Sequence, residues 1–364
     1  MVGFDDGGQA EKTLDGRATS VIHADLTAEA NVASARPLTE NQGICFLGVM
    51  KGGPFDITEE EAKEMLAAPL NPNGRPNSDV VKRRLIGRGV VQRNQNGWII
   101  DFGELPEAKA ALYELPFEYV RTTVKPLRDE SRDRLMHQNW WLHGRTRPAL
   151  RKAIGAFRRC IVRPEVSKHR IFAWMKTDGV PDHKLHVIAR NDDYFFGILH
   201  ARPHEAWTLS TCSWIGKGND PSYNSATTFE TFPFPWPPGR EPKDSLLVVA
   251  IAKAARELVE RRDAWLNPPD ASGVELNKRT LTNLYNARPA WLAAAHRKLD
   301  KAVFAAYGWP TDISRDEILR RLLELNHKKS AGPLLVPRSD LPPKKAPGVE
   351  RLPRQMPAAK VAAR

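Results

Sequence analysis

Cysteine is scarce in this chain, long apolar runs are missing, and familiar catalytic signatures do not occur. The three cysteines, Cys45, Cys160 and Cys212, are odd in number and far apart. That excludes a disulfide framework and a paired-cysteine zinc site, and points to small buried residues in a reducing, cytoplasmic setting. No apolar run approaches the ~18–20 residues of a membrane span, and mean hydropathy is −0.47, so no membrane partner is expected. Met1–Gln9 lacks a basic segment followed by an apolar core, so a secretory signal is not expected. There is no nucleophile–base signature, HExxH helix or phosphate loop. His200 and His204, four apart, read as one helical face without a third ligand, which favours structural histidines over a metal site.

Base, by contrast, is in excess. Fifty-five Lys and Arg face 43 Asp and Glu over 364 residues, for a net charge of +12, the mark of a polyanionic partner. Part of the excess lies in a tail running from Lys328 to Arg364. Another part lies between Arg121 and Arg170, interleaved with Trp140, Trp141, His143 and His169. Cations interleaved with aromatics suit phosphate contact and base stacking, although the two tryptophans fit a core at least as well.

Patterning along the chain predicts an α+β fold: a mixed, short-stranded region followed by a small helical bundle and a disordered basic tail. Strands are expected at Ile44–Met50, Trp98–Gly103, Ile161–Val162, Ile171–Met175 and Leu185–Ala189. Thr58 with Glu61 forms a capping box for a helix over 58–67. Helices are also expected at Lys109–Tyr119 and Ala149–Phe157, and from Tyr194 through His200 and His204. Proline density marks a boundary at Pro233–Pro242. Beyond it Leu247, Ile251, Ala254 and Leu258 recur at helical spacing. Pro268-Pro269 stops that helix, Leu281 and Leu284 mark a second, and Pro289 opens a third that Gly308-Trp309-Pro310 ends. Ser314 and Glu317 read as the capping box of a fourth.

The most specific feature is an ordered set of motifs. Asp192-Asp193-Tyr194-Phe195-Phe196-Gly197-Ile198-Leu199-His200 precedes Gly218-Asn219-Asp220-Pro221. Then comes Thr227-Thr228-Phe229-Glu230-Thr231-Phe232-Pro233-Phe234-Pro235, which reads as an extended segment pinned by its aromatics. Earlier stand Lys51-Gly52-Gly53-Pro54-Phe55-Asp56, Asn71-Pro72-Asn73-Gly74-Arg75-Pro76-Asn77 and Val166-Ser167-Lys168-His169-Arg170. Later come Arg279-Thr280-Leu281-Thr282-Asn283-Leu284-Tyr285-Asn286 and Tyr307-Gly308-Trp309-Pro310. In this order, over residues 1–326, they resemble the C-terminal part of large adenine-specific (N6) DNA methyltransferases of fused restriction–modification and phage-defence systems.

That resemblance implies a remnant of the methyltransferase catalytic domain over residues 1–40, with Met1 internal to a longer ancestor. It further implies a target-recognition domain over 41–236, a helical domain over 243–326 and an unrelated tail over 327–364. Double-stranded DNA is the implied partner and S-adenosylmethionine the cofactor of the complete enzyme. A glycine-rich strand-to-helix loop for that cofactor is missing: Asp6-Gly7-Gly8 is too short and Gly52-Gly53 runs into proline. Asn267-Pro268-Pro269-Asp270 resembles the base-gripping tetrad of amino-methyltransferases, but Asp270 cannot stack on a base and the segment follows a helix. The chain is therefore expected to be a truncated form or specificity subunit, not catalytic alone. Alternatives are a methyltransferase completed by a separately encoded catalytic chain, or a basic RNA-binding or scaffold protein. DNA contacts are expected from Arg75 and Asn77, which can pair with guanine and adenine, from Lys168, His169 and Arg170 in a loop, and from Lys217 and Asn219 in a glycine turn. Each also fits a turn or loop satisfied by its own backbone or by water.

Overall fold

Alternation along one strand sets the architecture. In β7 (Arg159–Pro164) Cys160 and Val162 face one way, while Ile161 and Arg163 face the other, as the two-residue period of a strand requires. The structure, a computed structural model, describes residues 12–14, 16–19, 22, 30–93, 97–215 and 220–331. It is an α+β fold. β7 lies between β8 (Ala173–Lys176) and β10 (Leu185–Ile188), and β10 pairs in turn with β3 (Cys45–Leu47), all antiparallel. Ile188 sits opposite both Ile161 and Cys45. Leu150, Ile154, Cys160, Val162, Met175 and Val187 fill one face of this sheet. The other face, with Ile161 and Ile188, joins a large core that continues into the helices.

A second sheet has the order β4 (Asp56–Ile57), β6 (Gly97–Ile100), β5 (Val81–Leu85) and β9 (Val180–Pro181). Only the β5–β9 pair is parallel. The two sheets meet just after β3. There Gly48 donates to Leu185, Val49 donates to Pro181 and Asp182 donates to Leu85, at 2.7–2.9 Å. A Cβ on Gly48 would lie 2.2 Å from the Asp182 carbonyl oxygen, so only glycine fits the seam. Arg84 ties it further, to Asp56 and Asp182 at 2.8 and 2.7 Å.

Around the second sheet stand α1 (Glu59–Ala67), α3 (Glu107–Ala110), α4 (Glu114–Thr123), α5 (Lys125–Asp129) and α6 (Arg134–Gln138), while α2 (Gly87–Val91) lies against β7 and α7 (Pro148–Ile154) under the first sheet. The Thr58–Glu61 capping box forms as expected. The helix expected over 109–119 is instead two, α3 and α4, separated at Leu112-Tyr113. Trp140 and Trp141 are buried, and Trp141 Nε1 donates to the Leu105 carbonyl; they belong to the core.

The helical side begins with α8 (Asp193–His200), capped by Asp192. Pro203 at the second position of α9 (Arg202–Thr211) forces a break after Ala201. His200 and His204 therefore sit on different helices, not on one face. Both Nδ1 atoms donate to carbonyls, of Phe196 and Leu199. The Nε2 atoms accept from Arg262 and from the Tyr223 hydroxyl. α10 (Leu246–Leu266), α11 (Gly273–Lys278), α12 (Leu281–Ala287), α13 (Ala290–Tyr307) and α14 (Arg315–Ser330) follow. At Gly197, α8 is crossed by Ile251 and Ala255 of α10 and Leu299 of α13. Ser314 caps α14 through the Glu317 N–H at 3.2 Å, but the Glu317 carboxylate turns to Arg320 and Arg321, so the expected box is one-sided. Among the described residues no helix is long and apolar enough to cross a membrane.

The aromatic run departs from its expected extended form. Asn224 caps a single π-helical turn over Ser225–Phe229, and the residues from there through the prolines form neither helix nor strand. Phe229, Phe232 and Phe234 are buried at the centre of the large core. Two buried asparagines hold the run. Asn41 Nδ2 donates to the carbonyls of Phe229, Glu230 and Phe232. Asn326 accepts from Arg36 N–H and donates to the carbonyls of Arg36 and Thr231. Near the N-terminus β1 (Lys12–Leu14) and β2 (Arg17–Thr19) form a hairpin about Gly16; most of Val21–Thr27, whose alternation reads as a short strand, and the tail beyond Ala331 lie outside the described residues. β11 (Ser213–Ile215) and β12 (Asp220–Ser222) form a second hairpin, with Trp214 and Ile215 exposed.

Candidate nucleic-acid interface

Arg163 lies on the helix-facing side of β7, so its guanidinium reaches the space between the first sheet and the helices. The loop after β7 brings Lys168, His169 and Arg170 to the same space. α9 contributes Arg202 and Glu205, the end of α12 contributes Tyr285 and Arg288, and α13 contributes His296, Arg297 and Asp300. Together they line a cleft of about 470 Å³, edged by Cys212 and Pro221 of the second hairpin. Arg288 caps α12 with φ of 39°, a left-handed conformation that a side chain adopts at some cost. Six cationic side chains thus face two carboxylates, Glu205 and Asp300.

Burial decides the electrostatics. Arg163 is 2% exposed and donates through Nε to its neighbour's carbonyl, Pro164. Its guanidinium lies 4.3 Å from the Tyr223 ring centre, and burial pulls its pKa down to about 10. The Arg170 side chain is 8% exposed, with Nη1 3.0 Å from Glu205. Arg170 Nε has no hydrogen-bond acceptor. Arg170 holds the Glu205 carboxyl below its usual range, against desolvation. Burial drives His200 and His204 well down and His296 to about 4, so all three are neutral at pH 7.

Burial also pushes Asp300 up to about 6, against a 2.8 Å hydrogen bond from the Arg202 N–H. Its folded pKa exceeds the unfolded ~3.9. The folded state therefore holds the proton longer, and the stability this contributes is full below about pH 4 and lost as pH rises through about 6. Asp300→Asn should be more stable than the parent by about 1–2 kcal/mol at pH 8, with the difference closing at pH 4. Urea denaturation at the two pH values checks this; an equal gain at both would mean that the charge is not the cause.

The residues expected to touch DNA fall into separate places. Lys168 Nζ and His169 Nε2 both donate to Asn286 Oδ1, at 2.9 and 2.8 Å, which ties the loop to α12. Arg170 is not a surface cation but a buried one paired with Glu205. Arg75 is exposed, ion-paired with Asp79, and lines a different, wider cleft in which Lys82, Lys109 and Arg151 are matched by Asp79, Asp101 and Glu104. Asn77 is buried, its amide donating to Met65 O and accepting from Asn71 within the turn. Lys217 and Asn219 lie outside the described residues. Sequence reasoning missed Arg163, whose signal was a charge inside an otherwise apolar strand. It also missed Arg202, Arg288 and Arg297, which carry no local signal because three helices bring them together.

The Gly52-Gly53 turn does not fit S-adenosylmethionine. The turn at Gly52-Gly53 is filled: a Cβ on Gly52 would meet Met136 at 3.2 Å, and one on Gly53 would meet Val124 and Phe55 at 3.2 and 3.3 Å. The Asn267 side chain accepts from Arg93 and donates to Asp263, as a helix end does.

No family profile and no curated protein matches the chain. Its fold is similar to that of a solved structure, the type IIL restriction-modification enzyme MmeI in complex with DNA, with a TM-score of 0.66 and 18% sequence identity. The similarity covers 86% of this chain and 39% of the MmeI chain, so this chain corresponds to less than half of that protein.

Proposed function

We propose that this chain is the DNA target-recognition portion of an adenine-specific (N6) methyltransferase of the restriction–modification kind, used in phage defence. In this reading S-adenosylmethionine and the methyl-transfer chemistry belong to a catalytic part that these residues do not provide, either on the same ancestral protein or on a separate chain. The observation that carries it is the cleft, in which six cations face two carboxylates beside a hairpin that exposes Trp214 and Ile215. Such a surface suits a polyphosphate backbone, with base edges read beside it, for which Lys217 and Asn219 are the candidates. A fold shared with an enzyme solved on DNA adds support by analogy.

The test is fluorescence anisotropy with duplex DNA over a range of salt. The full chain and a chain ending at Ala331 should both bind, with affinity falling steeply as salt rises. Lys168→Ala with Arg297→Ala in the shorter chain should flatten the log–log slope by roughly 0.9 for each phosphate no longer neutralised. An unchanged slope would remove the cleft from the interface. No binding by the shorter chain at low salt would end the recognition reading for this chain.

A further inference from the structure

Three arginines are packed side by side behind the cleft with too little negative charge to match them. Arg163 and Arg262 are 2% and 4% exposed, and the Arg170 side chain is 8% exposed. Among the described residues, only Glu205 forms an ion pair with any of the three. Arg262 makes do with neutral acceptors, the Phe172 carbonyl at 3.0 Å and His200 Nε2 at 3.1 Å. Arg163 has one carbonyl and an aromatic face. Buried charge of one sign is costly unless paired, and here it is concentrated where the cleft begins.

The unused donors belong to the cleft lining. Arg163 Nη1 and Arg170 Nε have no hydrogen-bond acceptor, Arg170 Nη1 has only the Glu205 carboxylate at 3.0 Å, and both residues line the cleft. A water molecule can accept from two of them but brings no charge. A carboxylate brings charge, but its two oxygens lie in one plane. A tetrahedral oxyanion offers acceptors in several directions and neutralises more than one guanidinium. At the mouth stand Arg288 and Arg297, both exposed, neither with a hydrogen bond or ion pair of its side chain among the described residues. Lys168 is held beside them by Asn286.

We infer that this cleft is a phosphate socket, with Arg163 and Arg170 gripping one phosphate group at its floor and Arg288 and Arg297 closing on it from the mouth. Glu205 is its placeholder: the carboxylate occupies part of the Arg170 guanidinium while the socket is empty and competes with the incoming group. The phosphate comes from a backbone phosphodiester or from a free phosphorylated small molecule, and the chemistry of capture is the same. The socket stands whether or not the chain reads DNA sequence.

The experiment is calorimetric titration of the full chain with inorganic phosphate at constant ionic strength, with acetate as the planar control. One site per chain is expected, with acetate at least tenfold weaker. Glu205→Gln keeps the shape, frees Arg170 and should tighten phosphate several-fold. Arg170→Gln should weaken it about tenfold, the worth of one charge-assisted hydrogen bond. Arg288→Ala, at an exposed position, should weaken it a few-fold and keeps the test valid if Arg170→Gln does not fold. Displacement of phosphate by a duplex with hydroxyl ends assigns the socket to a phosphodiester. Duplex binding without displacement, together with tighter binding of a 5′-mononucleotide, assigns it to a free phosphorylated molecule and leaves the DNA reading untouched. The inference is overturned if phosphate does not saturate one site, or if its affinity is the same in Glu205→Gln and Arg288→Ala as in the parent.

Discussion

Replacing Asn41 with alanine should cost about 3 kcal/mol of stability, although the residue lies in a short turn far in sequence from what it supports. Its amide nitrogen donates to three carbonyls, those of Phe229, Glu230 and Phe232. Phe229 and Phe232 are fully buried, so no water replaces the lost donor. Leaving a buried carbonyl unsatisfied costs roughly 1–3 kcal/mol; the Phe232 carbonyl is left without a donor, while those of Phe229 and Glu230 keep only the N–H groups of Phe232 and Leu38. Asn326→Ala should cost a similar amount, because Arg36 and Thr231 lose their partner together. Urea denaturation measures both. Both asparagines act on the same segment, so the double variant should fall short of the sum of the two. A loss below about 1 kcal/mol for Asn41→Ala would show that the backbone of the run finds other partners.

Gly48→Ala should be more damaging still, by more than about 3 kcal/mol, for a single methyl group. The new Cβ would stand 2.2 Å from the Asp182 oxygen and 2.5 Å from that of Pro181. Both are backbone atoms in the segment that joins the two sheets, so no side chain can swing away. Relief requires the sheets to part, which breaks the bonds from Gly48 to Leu185 and from Val49 to Pro181. Gly97→Ala is the matching control. A Cβ there meets nothing within 4 Å, and the change should move stability by less than about 0.5 kcal/mol. Thermal unfolding of the two variants separates steric blockade from any general intolerance of alanine for glycine. Equal behaviour would refute the seam.

Much of this fold is legible in the sequence because apolar period and punctuation are local signals. The Thr58 capping box, the stop at Pro268-Pro269, the start at Pro289 and the end at Gly308 each need only a few neighbouring residues. The misreadings share a different cause. Ala201-Arg202-Pro203 reads as the middle of one apolar helix, yet Pro203 fits the first turn of a new one. The aromatic run looks extended from its prolines, but Asn224, which coils its first half, precedes them. Asn77 has the chemistry to read adenine, but its partner Met65 lies on another element, and burial cannot be seen from within a turn. Arg170 reads as a surface cation because its loop is polar; Glu205, which draws it inward, is a tertiary neighbour. The cleft as a whole is invisible in the sequence because its charges come from β7, its following loop, α9, α12 and α13, and no sequence window holds them together.

The core that contains Phe195, Phe232 and Phe234 also contains Ile251, Leu299 and Leu322, and this bears on how such a protein can be inherited. The proline-dense stretch Pro233–Pro242 looks like a natural point at which genes could recombine and exchange halves. A crossover there would join an α8 shaped around Gly197 to an α10 and α13 that evolved against another surface, and would part Asn326 from the backbone it serves. Recombinants cut at the prolines would be purged for misfolding before any change in what they bind could be selected. Strand β11 carries no such debt: Trp214 and Ile215 are exposed and stand apart from the core. Change should accumulate by point substitutions on that strand, on a frame passed down whole.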